Sequence, residues 1–158
     1  MRAASAFVLC SLVCSCAESP DTPSPGPPWL EVGAGSTAFQ PLADGDDIEL
    51  VMGPQGGWHL DVAVRFKAIS PDGLALAYRA IDVESGDNLG FPIRSALNQD
   101  RVTHEGGGVF VRTGDRIVLD IESPAVIFER AIEIQVDARS TAVDLGAAVT
   151  IEVVDVEP

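Results

Sequence analysis

Apolar and polar side chains alternate with a period of two through most of the chain beyond residue 28. The sharpest run sets Trp58, Leu60, Val62, Val64 and Phe66 against His59, Asp61, Ala63, Arg65 and Lys67, the pattern of a strand with one face in a core. Shorter runs repeat it at Ile48, Leu50, Met52; at Leu74, Leu76, Tyr78; at Ile117, Leu119, Ile121; at Ile132, Ile134, Val136; and at Val149, Ile151, Val153. Trp29 to Val32 and Val109 to Arg112 add short strands. Between them lie turn-forming clusters: Asp44-Gly45-Asp46, Pro71-Asp72-Gly73, Ser85-Gly86-Asp87, Gly106-Gly107-Gly108, Thr113-Gly114-Asp115 and Leu145-Gly146. No window carries a helical period. About seven to nine strands with one polar face per sheet predict an all-β fold, an antiparallel two-sheet sandwich of immunoglobulin-like topology, with a small closed β-barrel as the alternative. The Cys…Trp…Cys spacing of antibody-type domains is missing, which leaves only their unbridged relatives.

The alternation stops before Trp29. Residues 17–28 read AESPDTPSPGPP, with five prolines among small and polar residues, a composition that cannot offset the entropy of ordering. It predicts a semi-stiff tether reaching about 35 to 40 Å. Ahead of it, Arg2 and the apolar run Ala3 to Val13 form a secretion signal, because about eleven residues is half the roughly 20 that a membrane-spanning helix needs. Val13-Cys14-Ser15-Cys16 resembles the bacterial lipoprotein lipobox. The resemblance implies removal of residues 1–15, lipid on Cys16, and an envelope location, with Ala17 after the cysteine favouring the outer over the inner membrane. An ordinary signal cut near Ala17 is the alternative. Cys10 and Cys14 would leave with the signal and Cys16 would carry lipid, so the domain at 29–158 is expected to fold without a disulfide. At 130 residues it is long enough for one core.

Charge narrows the partners. Ten basic against 24 acidic residues give a net charge of −14, and losing Arg2 deepens it by one. Nucleic acid and anionic lipid surfaces are repelled, while the dispersed acids read as a solvated surface.

Candidate chemistry is sparse. Only His59 and His104 could act as neutral-pH bases, and no Gly-x-Ser-x-Gly elbow accompanies them. His59 and Asp61 share a strand face about 6 to 7 Å apart, a spacing any alternating polar face produces. No metal or cofactor is expected. Asp44, Asp46 and Asp47 supply the oxygen donors that calcium would require, without the twelve-residue loop, and Asp and Gly are also ordinary turn residues. Among aromatics, Trp58 falls on the inward face, which leaves Trp29 and Phe91 freer for contact with a glycan. Gly53-Pro54-Gln55-Gly56-Gly57 reads as a rigid hairpin loop, with Pro54 and Gln55 central, Gly56 left-handed, and His59 following on the outward face. Gln55, Gly56, Gly57, Trp58 and His59 therefore form the candidate binding loop. The stretch around them, LADGDDIELVMGPQGGWHL at 42–60, resembles uncharacterised lipoproteins of Gram-negative bacteria with high-GC genomes; the resemblance supports envelope location and a β-rich fold and implies no activity. A membrane-anchored binding or adhesion module for an envelope protein or glycan ranks first, a structural envelope lipoprotein second, and a hydrolytic or metal-dependent enzyme last.

Overall fold

The computed structural model describes residues 26–128 and 130–154. The signal segment, Cys16 and most of the tether lie outside the described residues. Eleven strands follow in order: β1 (Trp29–Ala34), β2 (Gln40–Pro41), β3 (Asp46–Glu49), β4 (Val51–Met52), β5 (Trp58–Lys67), β6 (Ala75–Asp82), β7 (Ile93–Ala96), β8 (Thr103–Gly106), β9 (Val109–Leu119), β10 (Ala131–Arg139) and β11 (Asp144–Val154).

They form two sheets packed face to face. The first runs β2-β1-β5-β9-β8 with β4 also on β5, and the second runs β3-β11-β10-β6-β7. This is the immunoglobulin-like division of strands, with the sandwich realised in place of the closed barrel. The N-terminal segment serves both sheets: β1 pairs antiparallel with β5, and β3 then crosses to pair parallel with β11. That β3–β11 ladder is the exception to the expected antiparallel pairing.

The core is made of the predicted inward positions. Leu60, Val62, Val64 and Phe66 of β5 face Leu76, Tyr78, Ile132, Ile134, Val136 and Ile151, all essentially without exposure. Each such aliphatic or aromatic side chain contributes about 1.5 to 3 kcal/mol by leaving water.

Four expectations are corrected. Met52, placed in the core by its alternation, is 66% exposed, because β4 is a two-residue edge strand at the open end of the sheet beside Trp58. Leu145-Gly146 is not a turn but lies inside β11; the reversal falls earlier, where the Ser140 N–H donates to the Val143 carbonyl. The short edge strands β7 and β8, which lack a run of alternation, were not anticipated. Finally, Thr113-Gly114-Asp115 does not separate two strands: β9 runs unbroken through it, with a bulge opposite Val62 to Val64.

The bulge reverses the phase of the strand. Before it, Phe110 and Arg112 sit opposite the inward-facing Phe66 and Val64; after it, Asp115, Ile117 and Leu119 sit opposite Val62, Leu60 and Trp58. The inward set thus switches from even to odd positions, and Arg112 and Asp115 both turn toward the interior. Gly114 makes this possible, with φ of +73° and its position for a Cβ only 2.9 Å from the Ser36 carbonyl oxygen. Gly114→Ala is accordingly expected to lower stability by about 2 kcal/mol through left-handed strain and that close contact; equal urea midpoints for the variant and the parent would show that the bulge tolerates a side chain.

Candidate functional site

The predicted loop forms a tight hairpin. The Gly56 N–H donates to the Gly53 carbonyl at 3.0 Å, enclosing Pro54 and Gln55 as the central pair, and the Gly53 N–H donates to the Gly57 carbonyl at 2.9 Å. Gly56 and Gly57 both have positive φ, +79° and +91°. Gln55, Gly56 and Gly57 are exposed and Trp58 is half-buried against the core.

His59 departs from expectation. It does lie on the outer face of the first sheet, but it is buried. Val51 and Val118 flank it across the two neighbouring strands, and the loop turns over it, so that a Cβ on Gly53 would come within 3.8 Å of Nδ1. Its Nε2 has no hydrogen-bond partner and stands 3.5 Å from Asp61 Oδ1, which also accepts from Arg116 Nε at 3.3 Å. Asp61 then lines a polar hollow of about 220 Å³ with Asp47, Glu49, Ser36 and Thr37. The structure thus brings His59 and Asp61 together, but without the second histidine: His104 stacks on Phe110 at the far edge.

The acidic turn is used structurally. Asp44 Oδ1 accepts from the Thr150 N–H of β11 at 2.9 Å, and Asp46 Oδ2 accepts from the Ala43 N–H at 2.8 Å. These carboxylates pin the turn to the second sheet, Asp47 faces the polar hollow, and no metal-binding group of three is assembled among the described residues. Of the two freer aromatics, Trp29 is half-buried in β1, while Phe91 is 56% exposed beside Val118, whose carbonyl its N–H contacts at 3.0 Å.

Two constellations were not singled out by sequence reasoning. One is interior. Asp115 accepts from the Tyr78 hydroxyl at 2.5 Å, from the Ser95 hydroxyl at 2.9 Å and from Arg112 Nη2 at 2.6 Å. Arg112 also donates to the Arg101 carbonyl, and Arg101 to the Ala96 carbonyl. Burial works against the Asp115 carboxylate, but the hydrogen bonds from Arg112, Tyr78 and Ser95 outweigh it and hold the carboxyl below its ordinary range. The Tyr78 hydroxyl is pushed well above its ordinary range by burial and then by the Asp115 charge. Such a network fixes geometry and keeps its proton out of reach of solvent.

The second is a surface trough on the outer face of the second sheet. Register places Ala77 of β6 opposite Arg94 of β7 on one side and Asp137 of β10 on the other. Arg79 and Arg139 bracket this row two residues away on either side, at positions facing the same way. The result is a shallow hollow of about 330 Å³ floored by Ala75 and Ala77 and walled by the three arginines and Asp137. Arg79 donates to Asp137 at 3.0 Å and Arg139 to Asp144 at 3.1 Å, whereas Arg94 has no carboxylate partner among the described residues. In the sequence Arg79 and Arg139 continue the outward phase of predicted strands, whereas Arg94 lies on the unanticipated β7; only register makes the three neighbours.

No protein-family model and no curated protein matches the chain. Among solved structures, the CooA pilin subunit from enterotoxigenic Escherichia coli is 11% identical, with 81% of this chain and 99% of that chain covered at a TM-score of 0.35. So slight a likeness carries no argument, and no catalytic family is identified.

Two outcomes follow from this geometry. Asp115→Asn should cost about 2 to 3 kcal/mol at pH 7 by leaving Arg112 uncompensated. Because the carboxyl is held low in the folded state, its contribution is complete above the unfolded value near ~4 and is lost as pH falls through the folded one. Urea unfolding of the two proteins should therefore converge under acid, and a constant gap would contradict the ionised network. At the loop, Gly56→Val is expected to cost about 1 to 2 kcal/mol from its left-handed φ and Gln55→Ala almost nothing, while the buried His59→Ala should cost about as much as Gly56→Val; thermal melts of the three variants check that order.

Proposed function

We propose that this chain is an envelope lipoprotein, tethered through lipid on Cys16, whose β-sandwich is a binding or adhesion module with its contact surface on the outer face of the second sheet. The anchoring half rests on the lipobox-like Val13-Cys14-Ser15-Cys16 and the proline-rich segment behind it. The observation that carries the binding half is the arginine-walled trough. Exposed ion pairs such as Arg79–Asp137 add at most about 1 kcal/mol to stability, and Arg94 has no such pair, so folding does not account for three arginines on one small face of so acidic a protein. Arginine forks held beside a hollow are, by contrast, what recognition of an anionic group requires. Catalysis has no comparable support, since His59 is covered and Asp115 is committed to its hydrogen bonds.

Cys16→Ser separates the two halves of the reading. The substituted protein should leave the membrane fraction and lose its lipid mass while melting at the parent temperature, because the core begins only at Trp29. Retention in the detergent phase, or a lipid-free parent by mass spectrometry, would overturn the anchor without touching the binding surface. For that surface, the full-length parent and a variant with Arg79, Arg94 and Arg139 all replaced by Ala are compared for capture from envelope extract. Loss of a captured component in the variant is expected; undiminished capture would move the contact surface elsewhere.

A further inference from the structure

Resting on the trough as the binding surface, we infer that its ligand is a small acidic sugar: a polyhydroxylated body of one or two rings bearing a single carboxylate or phosphate.

The chemistry of the lining sets the class. Arg94 is an exposed guanidinium without a carboxylate partner among the described residues, directly across Ala77 from Asp137. A ligand seated between them meets a fork of N–H donors on one side and a carboxylate acceptor on the other. It therefore needs both an anionic group and hydrogen-bond donors, which a sugar acid supplies through its acid group and its hydroxyls. Gln135 adds a neutral amide in the adjoining hollow of about 260 Å³, which shares Arg79 and Asp137 with the first. The floor is flat because Ala75 and Ala77 carry only methyl groups, and Tyr78, the aromatic in the lining, is buried in the core and offers no exposed platform. Recognition there depends on charge and hydrogen bonding more than on stacking.

Size and net charge narrow it further. A hollow of about 330 Å³ is at the small end of ligand sites. The net charge of −14 repels a polyanion at long range, while Arg94, beside the already paired Arg79 and Arg139, attracts one nearby acid group. A ligand with a single charge gains the local attraction with the least repulsion. An extended acidic peptide, which arginine clusters can also bind, would outrun a hollow of this size.

The test titrates the full-length lipidated protein, in detergent and labelled with 15N, with glucuronate, glucose 6-phosphate and glucose, following amide shifts. One or both acids should shift Ala77, Arg94 and Asp137 with a Kd on the order of 1 mM, and glucose should bind about tenfold more weakly or not at all. The acid that binds more tightly identifies the anionic group. Arg94→Ala should weaken that acid about tenfold, and Lys67→Ala, which removes a positive charge outside the trough, should leave it unchanged. Equal binding of glucose, shifts confined to other residues, or no shift from either acid would overturn the ligand class. If the triple-arginine variant nevertheless fails to capture an envelope component, the trough still binds and only the sugar acid is wrong; if capture also persists, both readings fall.

Discussion

The sandwich is held shut along its two long sides by different means, and the side that depends on Asp115 is the more demanding. On one side the chain itself crosses, β1 belonging to the first sheet and β3 to the second. On the other, Asp115 of β9, held by Arg112 of the same strand, accepts across the sandwich from Tyr78 of β6 and Ser95 of β7. No disulfide spans the described sheets, and along this side a buried carboxylate ties them together. A buried charge stabilises only when its hydrogen bonds are complete. Here three side chains supply them, and the depressed carboxyl and raised phenol are two results of the same arrangement.

That network depends on one backbone irregularity. Without the bulge at Gly114, strict alternation would turn either Arg112 or Asp115 outward, leaving its partner alone in the interior. Asp82 shows the same economy at the next corner: buried, it accepts from the N–H groups of Glu84 and Ser85 and from Arg130, and it is held low first by the Ser85 amide and then by Arg130. Many of the prominent polar groups are in this way assigned to corners and seams. What remains for recognition lies on the outer faces, and there the two sheets differ. The first presents the covered His59 next to an acidic hollow, with Arg65 and Arg116 paired to Glu31 and Asp61; the second presents Arg94 without a carboxylate partner among the described residues.

How much could be read beforehand follows from the range of each interaction. Period-two alternation is local, so the strands of β5, β6, β10 and β11 and the aliphatic core were legible, as was the Pro54-Gln55 turn with its left-handed glycine. The inference failed where a neighbour in space overrode local pattern. Met52 alternates correctly yet sits on an edge with nothing opposite to cover it, and His59 sits on a polar face yet is closed over by β4 and the loop. The Thr113-Gly114-Asp115 segment has turn chemistry but stays within β9, because the ladder to β5 resumes at Asp115 and the Gly114 N–H donates to the Gly35 carbonyl.

The sequence by itself determined the all-β class, the inward faces, the turn chemistry and the expectation of a lipid-bearing Cys16 ahead of a proline-rich tether, because each is carried by residues adjacent in the chain. Only the tertiary structure decided which strands lie side by side, and with that the crossing of the N-terminal segment, the Asp115 seam and the convergence of Arg79, Arg94 and Arg139. The groups that meet across strands are separated by 15 residues or more along the chain, and what brings them within side-chain reach is strand register, a property of paired backbones that no single strand contains.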